Sequence, residues 1–156
     1  MNEMTSSQPA AHRAPTDHRG ITVLTLDECL DRLRSTPVGR IAFTEQGGPV
    51  ILPVNHGVDG TDIVFRTTYG SKLQIAEDSG HVAFEADGID VPTHRGWSVL
   101  VKGIASPVYE REAVERYEAL GISAWAGLDP TSAVWIRLRA EEITGRELGG
   151  YPTVQG

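Results

Sequence analysis

Residues 134–139 read Val-Trp-Ile-Arg-Leu-Arg, and their side chains alternate in character from one position to the next. In a strand, alternate side chains point to opposite faces of the sheet. The first face carries Val134, Ile136 and Leu138. The second face carries Trp135, Arg137 and Arg139. A face with two arginines and a tryptophan is either solvated or meets a ligand or a partner chain.

Working outward from this stretch, the chain contains five further short runs of strand character. The six predicted strands cover residues 38–44, 50–58, 62–67, 81–86, 97–108 and 134–144. Gln46-Gly47-Gly48-Pro49 and Asp59-Gly60 are typical of hairpin turns between them. Strands at this spacing favour an antiparallel barrel over a fold in which strands and helices alternate. The sequence therefore predicts a mainly β (α+β) fold, a six-stranded antiparallel barrel with a few peripheral helices.

The first peripheral helix has clear signals at both ends. Thr25 and Glu28 have the spacing of a capping box, and Thr36-Pro37 is expected to end the helix. Its apolar face has helical spacing and comprises Leu26, Cys29, Leu30 and Leu33. Further helices are predicted over residues 71–78 and 110–120. Cys29, the only cysteine, is expected to be buried, and it allows neither an intrachain disulfide nor a multi-cysteine metal site.

Length and charge limit the organisation and the partners of the chain. The 156 residues fit one domain, which we place at 21–149 between a disordered tail (1–20) and a flexible tail (150–156). The net charge of −7 argues against nucleic acid as a partner. The sequence has neither an apolar run long enough to cross a bilayer nor an N-terminal signal core, so we expect no membrane contact and a cytoplasmic location.

Two stretches could carry chemistry. The first, Phe65-Arg66-Thr67-Thr68-Tyr69-Gly70-Ser71-Lys72, gathers cations and hydroxyls where a strand meets a predicted helix, which suits a phosphate group. It could equally be a polar turn that binds nothing. The second, Ile51 to Gly57, has Pro53 inside a strand, which indicates a sheet edge. Backbone groups freed there could contact a planar ring, or the proline could simply protect the edge from aggregation.

The order of several motifs resembles the pyridoxamine 5'-phosphate oxidase-like family, in particular its short actinobacterial-type branch. The motifs are Val38-Gly39-Arg40-Ile41-Ala42, Pro53-Val54-Asn55-His56, Phe65-Arg66-Thr67 with Gly70-Ser71-Lys72, Val82-Ala83-Phe84-Glu85, Trp97 to Gly103, Trp135-Ile136-Arg137-Leu138 and Ile143-Thr144-Gly145-Arg146. No single motif is specific, but the ordered combination is. The resemblance implies a split β-barrel homodimer that holds FMN, or a related flavin, in a cleft between its subunits.

The resemblance also implies roles for individual residues. Arg66, Thr67, Ser71 and Lys72, with Thr68 beside them, match the segment that holds the flavin phosphate. Pro53, Val54, Asn55 and His56 match the strand that lines the isoalloxazine ring. Trp135 and Arg137 correspond loosely to residues with which the partner subunit touches the ring. The chain lacks the arginine- and histidine-rich C-terminal motif of true pyridoxamine phosphate oxidases, and it has Gly-Ser-Lys where they have Gly-Ser-Arg-Lys, so oxidation of vitamin B6 is not expected.

The resulting hypothesis is a flavin-dependent oxidoreductase that acts on a small molecule or with a small electron donor. Three alternatives stay open: a flavin-sensing module without turnover, a relative that uses a deazaflavin or FAD, and a haem-binding relative with His56, His81 or His94 as ligand. No metal site is predicted. Residues 87–96 are expected to form a polar loop or a lid, and Trp97 and Trp125 to be core or interface aromatics.

Overall fold

The computed structural model describes residues 20–68, 80–129 and 131–149. Their elements, in chain order, are β1 (Ile21–Val23), α1 (Leu26–Arg34), β2 (Val38–Glu45), β3 (Gly48–Asn55), β4 (Gly57–Asp59), β5 (Asp62–Thr67), β6 (His81–Asp90), β7 (Arg95–Val108), α2 (Arg111–Ala119) and β8 (Val134–Gly149). The predicted helix at 71–78 and both predicted tails, apart from Gly20, lie outside the described residues.

The strands form one antiparallel sheet in the order β3-β2-β6-β7-β8-β5-β4, and β1 pairs with β8. The predicted mainly β, antiparallel fold is confirmed. The strand count is wrong, because the structure describes eight strands where six were expected. The run at 50–58 divides at His56, whose N–H donates to the Pro37 carbonyl at 3.1 Å and not to a strand. The short strand β1 was not among the predicted strands.

Helix α1 begins as its sequence predicts. The Thr25 hydroxyl accepts from the Glu28 N–H at 3.3 Å, and the Glu28 carboxylate accepts from the Thr25 N–H at 2.7 Å. Cys29, Leu30 and Leu33 are buried against the sheet, whereas Leu26 is half exposed. The helix ends at Arg34, before Pro37. Its C-terminal turn lies next to the residue that follows β3, because the Leu33 carbonyl is 2.9 Å from His56 Nε2.

The sheet has two covered faces. On one face, the sheet and α1 enclose the main core, which includes Ile63, Phe65, Ile136 and Leu138. The opposite face of β5 and β8 is covered by α2. A second cluster lies there and consists of Val64, Val108, Ala113, Tyr117 and Trp135. On the polar face predicted for residues 134–139, Trp135 is therefore buried beneath a helix of the same chain, whereas Arg137 is partly buried and Arg139 is exposed.

Two other predictions are corrected. Residues 87–96 are neither a loop nor a lid, because β6 runs to Asp90 and β7 starts at Arg95, so that only a short turn separates them. Trp125 is not a core residue, since 69% of it is exposed. Trp97 packs against the main core as a partly buried side chain. No helix in the described part of the chain is long and apolar enough to cross a membrane.

Candidate functional site

The β3–β4 junction is built around His56. Its ring is buried, and Nε2 lies 2.9 Å from the Leu33 carbonyl at the end of α1. The edge of the ring packs on Phe84, with 4.8 Å between the ring centroids. A carbonyl can only accept a hydrogen bond, so Nε2 carries the proton in this contact. His56 thus joins α1 to the strand that was predicted to line a ring.

The protonation state of His56 follows from its burial. Desolvation lowers the pKa of the imidazole below its ordinary value of 6.5, and the bond to the Leu33 carbonyl opposes that shift only in part. The ring is therefore neutral at pH 7, with Nδ1 as an acceptor. Nδ1 is buried and has no hydrogen-bond partner among the described residues. It can receive one hydrogen bond from a donor that comes close.

A cleft of about 460 Å³ lies beside this histidine. Its walls are the end of α1, residues 55–58 and the segment 120–125. The Asn55 side chain connects these walls, because Oδ1 accepts from the Trp125 N–H at 2.9 Å and Nδ2 donates to the Pro37 carbonyl at 3.4 Å. The exposed Trp125 indole stands at the wall of the cleft. The volume and the mixed walls suit a planar organic ligand.

A second group of predicted residues lies on the α2 side of β5 and β8. Arg66 pairs directly with Trp135 across the two strands, so the two side chains share a face. The guanidinium of Arg66 lies over the Trp135 ring, 5.2 Å from its centroid. On α2, Glu118 contacts both of them, at 3.9 Å from Arg66 and 3.4 Å from the Trp135 indole nitrogen.

Arg137 lies diagonally from Arg66, because it pairs with Val64 two residues earlier in β5. Its guanidinium is close enough to the buried Tyr117 hydroxyl to oppose the rise in the pKa of Tyr117 that burial causes. The Tyr117 oxygen nevertheless has no hydrogen-bond partner of good geometry in the part that the structure describes. The Nε atoms of Arg66 and Arg137 are likewise buried without a partner among these residues. Within residues 20–68, 80–129 and 131–149, each of these two cationic groups thus keeps one unsatisfied donor on the same face of the sheet.

The structure brings several predicted residues together. Gly57 of β4 pairs antiparallel with Val64 of β5, and β3 contacts β5, so the residues before Gly57 and those after Val64 leave the strand pair at the same end. Asn55 and His56 are thus on the Arg66 side of the β4–β5 strand pair. We refer to Asn55, His56, Arg66, Trp135 and Arg137 as the β3–β5 site.

Other predicted residues do not converge on this site. Thr67 points to the opposite face of β5 from Arg66, and its hydroxyl is buried and donates to the Thr68 carbonyl at 3.2 Å. Thr68 itself is half-buried. Val54 belongs to the main core, and Pro53 is exposed on β3, the outermost strand of the described sheet on that side. Ser71 and Lys72 lie outside the described residues.

Sequence reasoning missed the contribution of α2 to this site. Neither Tyr117 nor Glu118 was singled out as a site residue in the helix predicted over 110–120. The apolar spacing of Val114, Tyr117 and Leu120 predicted a packed helix, but nothing in it indicated which strands the helix covers. The missing information is the strand pairing that places Arg66 and Arg137 beneath the last turn of α2.

The remaining candidate histidines lie apart from one another along the chain. His81 starts β6 and is mostly exposed, with Nε2 at 3.5 Å from Glu141. His94 is in the β6–β7 turn and has a positive φ of 55°. That hairpin lines an apolar groove of about 580 Å³ together with Ile21, Arg146 and Leu148. Of these three histidines, only His56 belongs to the β3–β5 site.

The fold and this site define a small antiparallel barrel of the split-barrel type. The sequence model of one family, pyridoxamine 5'-phosphate oxidase, matches residues 25–147. The chain belongs to this family. It is also 36% identical over 143 residues to the uncharacterized protein Rv0080 of Mycobacterium tuberculosis, an alignment that covers 88% of this chain and 92% of the relative.

Solved structures share the fold. The FAD binding protein from Mycobacterium smegmatis is 33% identical, with a TM-score of 0.69 over 81% of this chain and 99% of that one. The FAD and haem binding protein from the same organism is 17% identical, with a TM-score of 0.61 over 81% of this chain and 71% of that one. The second likeness supports the fold alone.

Proposed function

We propose that this protein is a flavin-dependent oxidoreductase that holds FMN at the β3–β5 site. The observation that carries the proposal is the pair of guanidinium Nε atoms of Arg66 and Arg137 on one face of the sheet, which are buried and have no hydrogen-bond partner among the described residues. A buried donor without an acceptor is costly, and a charged donor more so. A phosphate oxygen would satisfy these groups with charge-assisted hydrogen bonds.

The ring of the cofactor is assigned to the neighbouring cleft. A planar ring with polar edges suits a cleft lined by His56 and by the Asn55 side chain. Because Asn55 and Arg66 leave the β4–β5 strand pair at the same end, we assign the ring and the phosphate of one cofactor to these two groups. The cleft and the arginines are thus the two parts that a phosphate-bearing flavin requires.

In this proposal the bound flavin supplies hydride or electron transfer, and the chain supplies binding and orientation. Arg66 and Arg137 neutralise the phosphate. The Trp135 ring packs against the Arg66 guanidinium and supports its position. Trp135 is covered by α2 of its own chain, so we assign it to this support and not to contact with a partner's ring. His56 remains neutral and accepts a hydrogen bond, and no described side chain is assigned as a general acid.

We further propose a cytoplasmic homodimer in which the flavin lies near the subunit interface, with a small molecule or electron donor as the second reactant. The family resemblance supports the dimer. The FAD binding relative from Mycobacterium smegmatis supports a flavin. FMN is preferred over FAD because a single phosphate satisfies the two arginines.

The test is a flavin titration of the stripped protein, followed by visible absorption and flavin fluorescence. FMN, riboflavin, FAD, a deazaflavin and haem are added in parallel to wild type, Arg66→Ala and Arg139→Ala. Arg139 is the matched control, an exposed arginine two residues after Arg137 in β8. Arg66→Ala should weaken FMN binding by about 10-fold or more, since hydrogen bonds to charged groups contribute ~1.5–3 kcal/mol. Riboflavin binding should not change.

Several outcomes would overturn parts of the proposal. If the protein binds no flavin, the proposed flavin-dependent function is wrong. If it binds haem more tightly than flavin, a haem-binding function takes its place. Equal FMN affinities in Arg66→Ala and Arg139→Ala would show that the phosphate is held elsewhere. A preference for FAD or the deazaflavin would correct the cofactor. Light scattering that finds a monomer with bound flavin would contradict the interface model.

A further inference from the structure

The β3–β5 site contains a carboxylate of the opposite sign to the cations it is proposed to use. Glu118, in the last turn of α2, lies 3.9 Å from the Arg66 guanidinium and 3.4 Å from the Trp135 indole nitrogen. The preceding residue, Tyr117, faces Arg137. The end of α2 therefore places one residue over each arginine, and only one of these two residues carries a charge.

Both contacts of Glu118 are weak, so that another group can readily replace them. A separation of 3.9 Å is at the limit for an ion pair, and 3.4 Å is long for a hydrogen bond. The Glu118 side chain is 55% exposed, while that of Arg66 is 25% exposed. Exposed pairs of this type are weak because water screens them. The Nε atom of Arg66 stays unpartnered among the described residues although the carboxylate is near.

We propose that Glu118 is an internal competitor for the anion position at Arg66 and sets the affinity of the site for phosphate. Without ligand, its carboxylate partly neutralises Arg66 and accepts from Trp135. A phosphate monoester carries more charge than a carboxylate and offers three acceptor oxygens, so it displaces Glu118. The inference rests on the proposed function in taking the ligand to be a flavin phosphate.

The same helix offers a matched control. Glu115 lies three residues before Glu118 and pairs at 2.9 Å with Arg111, a mostly exposed neighbour on α2 itself. Replacing Glu115 by Gln removes the same charge from the same helix without touching Arg66 or Trp135. A general effect of charge on the helix would therefore appear equally in both variants, whereas competition at Arg66 would appear in one.

The experiment measures the affinities of stripped wild type, Glu118→Gln, Glu115→Gln and Arg66→Ala for FMN, riboflavin and inorganic phosphate. Glu118→Gln should tighten FMN and phosphate by roughly 3- to 5-fold, the size expected from removing one exposed opposing charge. Riboflavin, which has no phosphate, should bind as in wild type. The affinities of Glu118→Asp for FMN and phosphate should lie between those of wild type and Glu118→Gln, because the shorter aspartate side chain keeps the charge but reaches less far.

The outcomes separate this inference from the proposed function. If FMN binds and Arg66→Ala weakens it, but Glu118→Gln equals Glu115→Gln, the function stands and the competitor role is wrong. Equal tightening of riboflavin, or weaker FMN binding in Glu118→Gln, also overturns the competitor role. If FMN does not bind but phosphate does, and more tightly in Glu118→Gln, the anion competition stands and the flavin function falls.

Discussion

The ends of α1 and α2 both contact polar side chains, but the two sets of contacts differ in tightness and in charge. At the end of α1, the neutral His56 ring is enclosed by a backbone carbonyl and by Phe84, with a short hydrogen bond of 2.9 Å. At the end of α2, the charged groups Arg66 and Glu118 meet at 3.9 Å and remain partly exposed. One arrangement is tight and uncharged, and the other is loose and charged.

This difference separates a part of the fold that stabilises the chain from a part that is free to exchange partners. Breaking the hydrogen bond between His56 and the Leu33 carbonyl would leave a buried polar group unsatisfied. The α1 contact therefore holds whether or not a ligand is bound. The α2 contacts cost little to break, since water already reaches Glu118. We therefore expect substitutions on the α1 side to change stability, and those on the α2 side to change binding.

The largest effect should come from Phe84→Ala. Phe84 is fully buried, and its ring packs against His56 and next to Gly39, where a Cβ atom would collide with it. Truncating a buried phenylalanine leaves a cavity and costs about 3–5 kcal/mol. Chemical denaturation of the stripped protein measures this loss in the free energy of unfolding.

Ile51→Ala provides the contrast for Phe84, because Ile51 is 68% exposed on the outer strand β3. Its loss should change stability by no more than ~0.5 kcal/mol. A similar cost for both substitutions would mean that Ile51 is covered in solution, for example by a second copy of the chain. A small cost for Phe84→Ala would contradict the tight α1 side.

Much of the fold could be predicted from the sequence because its signals are local. The capping box of Thr25 and Glu28 and the alternation at 134–139 specify their elements without help from the rest of the chain. The division of one predicted strand at His56 could not be predicted in this way. It depends on the Pro37 carbonyl, a partner nineteen positions away.

The sequence predicted several residues of the candidate site, but it did not predict how they are arranged in space. Arg66, Trp135 and Arg137 were each selected, but their adjacency depends on the β5–β8 register. Thr67 was grouped with Arg66 because the two are neighbours in sequence, yet neighbours in a strand point to opposite faces. Glu118 was missed because a glutamate on a helix carries no sign of what lies beneath it.

A smaller effect is expected from His56→Phe, and it should depend on pH. At pH 7.5 the substitution leaves the Leu33 carbonyl buried without a donor, which costs roughly 1–3 kcal/mol. In wild type the pKa of His56 is lowered in the folded state, so the unfolded chain binds the proton more readily. Stability contributed by neutral His56 is therefore lost as the pH falls below the ordinary pKa of 6.5.

The difference in unfolding free energy between wild type and His56→Phe should accordingly shrink as the pH falls from about 7.5 to about 5. Denaturation at several pH values measures it. His81→Gln is the control, because it removes a mostly exposed histidine at the start of β6 and leaves the contacts of His56 in place. A constant difference at all pH values would show that His56 does not titrate as a buried neutral ring.

The smallest effect on stability should come from Tyr117→Phe on the α2 side. The Tyr117 ring is fully buried and packs 5.4 Å from the Trp135 ring centroid, so a phenylalanine keeps its packing. Its hydroxyl has no hydrogen-bond partner among residues 20–68, 80–129 and 131–149, and removing a buried, unpaired polar group costs nothing. We expect a change within ~0.5 kcal/mol of wild type, or a slight gain. A loss above ~1.5 kcal/mol would show that the hydroxyl is bonded to Arg137, which would make the α2 side as tightly built as the α1 side.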